Sequence, residues 1–241
     1  MTHLSIVIPA YNEERRLPNT LRAVDSYISE QDYTTEVIVV VNGSTDNTLE
    51  VAQEFAAEHN YVRVLHDHKR GKGRAVRLGM IEALGKYRFM CDADLSMPIH
   101  EIDRFLPPKL ENCDVAVGSR EALGSTRYNE PIFTHLRGRI FSNLVKLFTM
   151  QEFEDTQCGF KCFRAEVAVD LFSIQQIDGM SFDVELLYIA KQRGYKIVEV
   201  AIDWYFDPES KVRMLDDSLK MLADLILIRR NWRYGKYERK T

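Results

Sequence analysis

Cysteine is scarce. The four in this chain, at 91, 113, 158 and 162, are too few and too scattered for a disulfide framework. Cys158-x3-Cys162 has neither a second pair nor nearby histidines, which argues against zinc and leaves reduced thiols as the expectation. No run reaches the roughly 18–20 apolar residues needed to cross a bilayer, and the first residues carry no leader of signal type. Both absences predict a cytoplasmic chain that does not span a membrane. A basic excess is missing too: 32 Lys and Arg against 36 Asp and Glu give a net charge of −4, unlike a dedicated nucleic-acid binder. Internal repeats and low-complexity linkers are absent, so residues 1–241 are read as one domain.

What is present is a globular composition, 45% hydrophobic and 28% charged, over 241 residues. The charge is unevenly placed. Residues 229–241 hold six Lys or Arg and one acid, so this tail carries +5 and the other 228 residues −9.

Two hydrophobic periods alternate through residues 1–118. Short β-branched runs at 4–8, 36–41, 61–65, 87–91 and 114–118 read as buried strands. Amphipathic patterns at 17–28, from 46, at 73–84 and at 99–110 read as helices between them. Such alternation predicts an α/β fold with a mostly parallel sheet covered on both faces. Residues 119–228 are less regular: a polar loop at 123–131, an apolar run at 132–150, a strand-helix pair after 159, a helix at 182–193, a strand at 196–202 and a helix at 215–230.

Ligands of such sheets sit at the carboxyl ends of the strands, so the loops there carry the functional signal. After the first strand stands Pro9-Ala-Tyr-Asn-Glu-Glu14; after the second, Asn42-Gly-Ser-Thr-Asp46, where Gly43 can take a positive φ and Asp46 can open a helix. After the fourth comes Asp92-Ala-Asp94. Two carboxylates so close repel unless a cation lies between them. A hard divalent ion, Mg2+ or Mn2+, completed by water and phosphate, resolves that repulsion.

Val7-Ile-Pro-Ala-Tyr-Asn-Glu13, Asn42-Gly-Ser-Thr-Asp46, Arg70-Gly-Lys-Gly73, Asp92-Ala-Asp94 and Gly118-Ser-Arg120 follow one another in an order that resembles family 2 glycosyltransferases. Asp155-Thr-Gln-Cys-Gly-Phe-Lys161, Phe182-Asp-Val-Glu-Leu-Leu187 and Ser210-Lys211 are similar to the polyprenyl-phosphate sugar transferases, the dolichyl-phosphate β-glucosyltransferase group above the mannose synthases. The likeness spans nearly the whole chain and implies a GT-A-type fold. Residues 1–118 would then hold the nucleotide sugar and 119–228 the acceptor. It further implies that Pro9, Ala10, Tyr11 and Glu13 hold base and ribose, that Asn42 and Asp46 occupy the second nucleotide loop, and that Lys72 approaches base or diphosphate. Asn42 departs from the family, where Asp is common; an amide donates as well as accepts. Asp92 and Asp94 would be the metal and diphosphate site. Ser96 stands where the mannose synthases tend to carry an amide ligand.

The implied reaction is inverting transfer of a hexose, glucose foremost, from a nucleotide-diphosphate sugar such as UDP-glucose to a polyprenyl or dolichyl phosphate. Arg120, Arg139, Lys211 and Arg213 are the candidates to neutralise the leaving diphosphate and the acceptor phosphate. A lipid monophosphate, with a second pKa of about 6, is ionised at neutral pH and needs no general base. Asp183 would therefore orient sugar or acceptor, or cap its helix, and neither it nor Asp155 is assigned as a base. Surface attachment is expected through 132–150, a basic amphipathic pattern, and through the tail with Trp232, Tyr234 and Tyr237. The first of these could equally face the core or a second copy in a homo-oligomer. Rival readings are a family 2 transferase with a sugar-hydroxyl acceptor, a GDP-mannose-using polyprenyl-phosphate transferase, and a nucleotide-sugar-binding module without turnover. A sugar-1-phosphate nucleotidyltransferase would want a Gly-rich basic loop where Pro-Ala-Tyr-Asn-Glu stands.

Overall fold

The computed structural model describes residues 2–131, 153–207 and 214–238. Seven strands form the main sheet: β1 (Leu4–Ala10), β2 (Thr35–Asn42), β3 (Val62–Asp67), β4 (Tyr87–Met90), β5 (Val115–Ser119), β7 (Lys161–Arg164) and β8 (Ile197–Ala201). Their order is β3-β2-β1-β4-β7-β5-β8. Neighbours run parallel except β7, which is antiparallel to both β4 and β5. A separate parallel pair joins β6 (Thr126–Tyr128) to β9 (Asp203–Tyr205), where Tyr128 stacks on Tyr205 at 4.5 Å.

Strand alternation divides the core in two, because successive side chains leave a strand on opposite faces. Val7, Ile38, Val40 and Met90 face α3 (Lys72–Glu82), α4 (Ala165–Ile174), α5 (Phe182–Gln192) and α6 (Met214–Arg233). Ile6, Ile8, Val37, Val39 and Val41 face α1 (Leu17–Ser29), α2 (Thr48–Glu58) and a 3-10 turn at Ile99–Phe105. Each of these aliphatic side chains, removed from water, contributes about 1.5–3 kcal/mol. That burial holds the strand ends Ala10 and Asn42, and the loop after Met90, side by side.

Three expectations need correction. The helix expected at 99–110 is only the 3-10 turn Ile99–Phe105, because Pro107 disfavours helical backbone at Leu106, which is extended. The loop at 123–131 contains β6. Within the tail, Tyr237 is not at a headgroup layer: it is 2% exposed and joins Trp232 against the core, while Tyr234 is exposed. The segment 132–150, with Arg139, and the positions Lys211 and Arg213 lie outside the described residues. Among the described residues no helix is long and apolar enough to cross a membrane.

Candidate active site

The loops after β1 and β2 are stitched together, and their polar residues are explained by that stitching. Asn12 Oδ1 accepts from Thr45 N at 2.8 Å, and Asn12 N donates to Ser44 Oγ at 3.1 Å. Glu13 N donates to Thr48 Oγ1 at 2.7 Å and Glu14 N to Asp46 Oδ2 at 3.3 Å. Asp46 also accepts from Thr48 N at 3.1 Å and Thr48 Oγ1 at 2.5 Å. Burial works to raise its carboxyl, yet the bonds from Thr48 and Glu14 prevail and hold it below the usual range. Asp46 is therefore a joint between the two loops.

Pro9 and Ala10 end β1, with Ala10 fully buried. Tyr11 follows, and the Arg70 guanidinium lies 4.3 Å from its ring centroid. The buried Asn42 explains how Arg70 is held there. Its Nδ2 donates to Gly71 O at 2.8 Å and Lys69 O at 3.3 Å, two bonds that a carboxylate could not make. Gly43 does take the positive φ, +65°.

A run of alternating charges starts from the Asp92–Asp94 turn. Lys72 Nζ, at the start of α3, is 2.6 Å from Asp92 Oδ1. Burial lowers the affinity of Lys72 for its proton, but Asp92, Asp183 and Asp94 together outweigh it and raise the pKa. Asp183, on the first turn of α5, is 2.8 Å from Lys161 Nζ on β7, and both are almost wholly out of solvent. Burial raises the Asp183 carboxyl against the pull of Lys161 and Lys72. Lys161 was not among the candidate residues. A lysine within an apolar strand opposite an acid-bearing helix was the available signal. Gly159 completes the turn: a Cβ there would lie 1.9 Å from Asp92 Oδ2, so only glycine admits this carboxylate.

Asp94 Oδ1 accepts from Ser96 N at 3.0 Å. Burial first, and the charge of Asp92 second, raise the Asp94 carboxyl, the repulsion that a bound cation would relieve. Two hard carboxylate donors suit Mg2+ or Mn2+. No cluster of three or more His, Cys, Asp or Glu suited to a metal occurs among the described residues. Ser96 contributes its backbone to this turn, its carbonyl accepting from Tyr205 N at 2.7 Å.

Arg120 is held by an acid: Nε donates to Asp155 Oδ2 at 2.6 Å and Nη2 to Asp155 Oδ1 at 3.0 Å, with a quarter of the side chain exposed. It also lies 5.6 Å from the Trp204 ring centroid. Burial would raise the Asp155 carboxyl, but the Arg120 charge and hydrogen bonds take it down to about 2, a poor value for a general base. Arg16, another residue the sequence did not single out, is bound by Glu13 at 2.6 and 2.7 Å and by Asp207 Oδ2 at 2.5 Å. Glu13 thus serves to anchor Arg16, whose proton is held partly by the nearby Asp94 charge.

An α/β sheet with stitched loops at its carboxyl edge and an acid pair beside the half-buried Lys72 is consistent with the glycosyltransferases of GT-A fold that it superposes on. A model of glycosyl transferase family 2 matches residues 5–172, and the chain belongs to that family. It is 36% identical to a dolichyl-phosphate β-glucosyltransferase of Drosophila melanogaster, covering 93% of this chain and 74% of the relative. It is 35% identical to the enzyme of that name from Homo sapiens, covering 97% and 77% respectively. Among solved structures, glucosyl-3-phosphoglycerate synthase of Mycobacterium tuberculosis with Mn2+, UDP-glucose and glycerol 3-phosphate superposes with a TM-score of 0.66. That match has 19% identity and covers 94% of this chain and 80% of the other.

Proposed function

We propose that this glycosyltransferase moves glucose from UDP-glucose to the phosphate of a polyprenyl lipid of dolichyl type, with inversion, at a membrane surface. The observation that carries the reading is the similarity, over nearly all of this chain and about three quarters of each relative, to relatives named for that reaction, at 36% and 35% identity. The site supports it. Asp92 and Asp94 would hold a divalent ion, with the Ser96 hydroxyl on the same turn within the candidate set. Such an ion, when bound, would neutralise charge developing on the leaving diphosphate. Lys72 would reach the same diphosphate, and Tyr11 with Arg70 and Asn42 would receive the base. Lys211, Arg139 and Arg213 are assigned to the acceptor phosphate on the sequence resemblance alone. Membrane contact through 132–150 and the exposed part of the basic tail belongs to the same proposal.

A second reading rests on Asp183. Its raised pKa is what a general base for a sugar-hydroxyl acceptor would need. Asp183→Asn separates the two: with a lipid-phosphate acceptor the folded variant keeps turnover within about tenfold, whereas loss of the 10²–10⁴-fold typical of an acid-base group favours the hydroxyl acceptor. Donor identity is tested by titrating UDP-glucose and GDP-mannose in the presence of Mn2+. Tighter binding of GDP-mannose would overturn the glucose assignment.

A further inference from the structure

We propose that Tyr237, in the C-terminal segment, is a positioning residue for Lys72 and through it for the diphosphate end of the donor site. The proposal rests on the reading above that Lys72 serves the donor diphosphate.

Tyr237 is pinned at two points. Its hydroxyl donates to Glu185 Oε1 at 2.7 Å and accepts from Asn231 Nδ2 at 3.4 Å. Its carbonyl accepts from Arg193 Nη2 at 2.7 Å, and Arg193 is in turn bound by Asp170. Glu185 is fully buried, and the rest of its carboxylate grips the turn between α4 and α5. Oε1 accepts from Gln176 N at 3.0 Å and Oε2 from Ile177 N at 2.9 Å.

That turn is the seat of α3. The helix starts without a side-chain cap, so the N–H groups of its first turn need outside acceptors. Asp178 O takes Arg74 N at 3.2 Å. Gln175 Nε2 donates both to Gly73 O at 2.9 Å and to Ile177 O at 2.7 Å, tying helix start and turn together. Ile177 O lies 2.6 Å from where a Cβ on Gly73 would stand, so the two backbones are in direct contact. Lys72 is the first residue of this helix, with Nζ 2.6 Å from Asp92 Oδ1. A shift of the turn moves the lysine, and the Tyr237 hydroxyl is one of three donors fixing the carboxylate that holds the turn.

The test is calorimetric titration of UDP and UMP, with Mg2+ held constant, into the full chain and its Tyr237→Phe, Lys72→Gln and doubly substituted variants. Tyr237→Phe is expected to weaken UDP about fivefold, within the range of one ordinary net hydrogen bond, and to leave UMP unchanged. In the Lys72→Gln background the same substitution should change UDP affinity by less than about twofold, since coupled residues are not additive. A merely stabilising tyrosine would weaken both nucleotides alike, or UDP equally in both backgrounds, and either result overturns the proposal. So does unchanged UDP affinity in Tyr237→Phe. Equal binding of UDP and UMP by the unaltered chain would instead remove the role of Lys72 on which the proposal stands. Should Tyr237→Phe not fold, Asn231→Ala must reproduce the UDP-selective loss at smaller size together with faster amide exchange at Gln176 and Ile177; failure of either overturns it.

Discussion

Lys161 Nζ and Asp183 Oδ1 face each other at 2.8 Å across the joint between β7 and α5, with side chains 1% and 4% exposed. Lys161 also donates to Cys158 O at 2.5 Å, which fixes the turn carrying Gly159 against Asp92. Removing one partner of such a pair strands the other charge, at a cost of about 3–5 kcal/mol. Lys161→Met should cost that much at pH 7.5. Burial already raises Asp183, and loss of the lysine raises it further. A carboxyl raised above its unfolded value loses stability as pH climbs from that value toward the folded one. The deficit of Lys161→Met should therefore shrink at pH 5, as read by urea denaturation; equal deficits at both pH values would refute this account of the pair.

Asn42→Asp tests the departure from the family. The new carboxylate would face the carbonyls of Lys69 and Gly71, where the amide now donates twice. Loss of these bonds frees the loop that carries Arg70 over Tyr11. Affinity for UDP should fall about tenfold, equivalent to roughly 1.4 kcal/mol, measured by titration calorimetry. Unchanged or tighter binding would show that the amide has no part in shaping the base site.

Asp155, held down to about 2 from an ordinary value of 3.8, contributes stability that is fully present above the unfolded pKa. That contribution is lost as pH falls through the folded value. Asp155→Asn should destabilise the protein by about 3 kcal/mol at pH 7, the lower end for a broken buried pair because Arg120 is a quarter exposed. Thermal unfolding from pH 7 down to 2 should show the gap between variant and parent narrowing below pH 4. A gap that stays constant would assign the loss to packing.

Gly159→Ala introduces a methyl 1.9 Å from Asp92 Oδ2. The aspartate must move, and a misplacement of about 1 Å at a reacting site costs on the order of 10²-fold. Turnover is expected to drop by that factor while the far-ultraviolet dichroism stays native. Full activity would mean that Asp92 does not act from this position.

Much of the donor half was legible because each strand there is a continuous apolar run and each helix an amphipathic one. The strand ends then point to Asn42, Asp92 and Asp94, and the family resemblance adds Lys72. The acceptor half hides its geometry. Nothing in Lys161-Cys-Phe-Arg164 states that β7 runs antiparallel between β4 and β5, since strand direction is set by the sheet and not by four residues. Lys161 is hidden in the sequence because a lysine reads as a surface residue until its buried acid is seen. The pairing of Arg120 with Asp155 is hidden because the two are 35 residues apart. Tyr237, among cations, reads as interfacial; its packing with Trp232 and its bond to Glu185 explain its burial.

The central claim is the transfer itself. The full chain should be incubated with UDP-glucose, Mn2+ or Mg2+, and a short-chain polyprenyl phosphate, and the lipid product isolated and its anomeric configuration determined by NMR. The account predicts a β-glucosyl polyprenyl phosphate whose formation stops with a chelator and in Asp94→Asn. Transfer only to free sugar hydroxyls, or release of glucose with no lipid product, would contradict it.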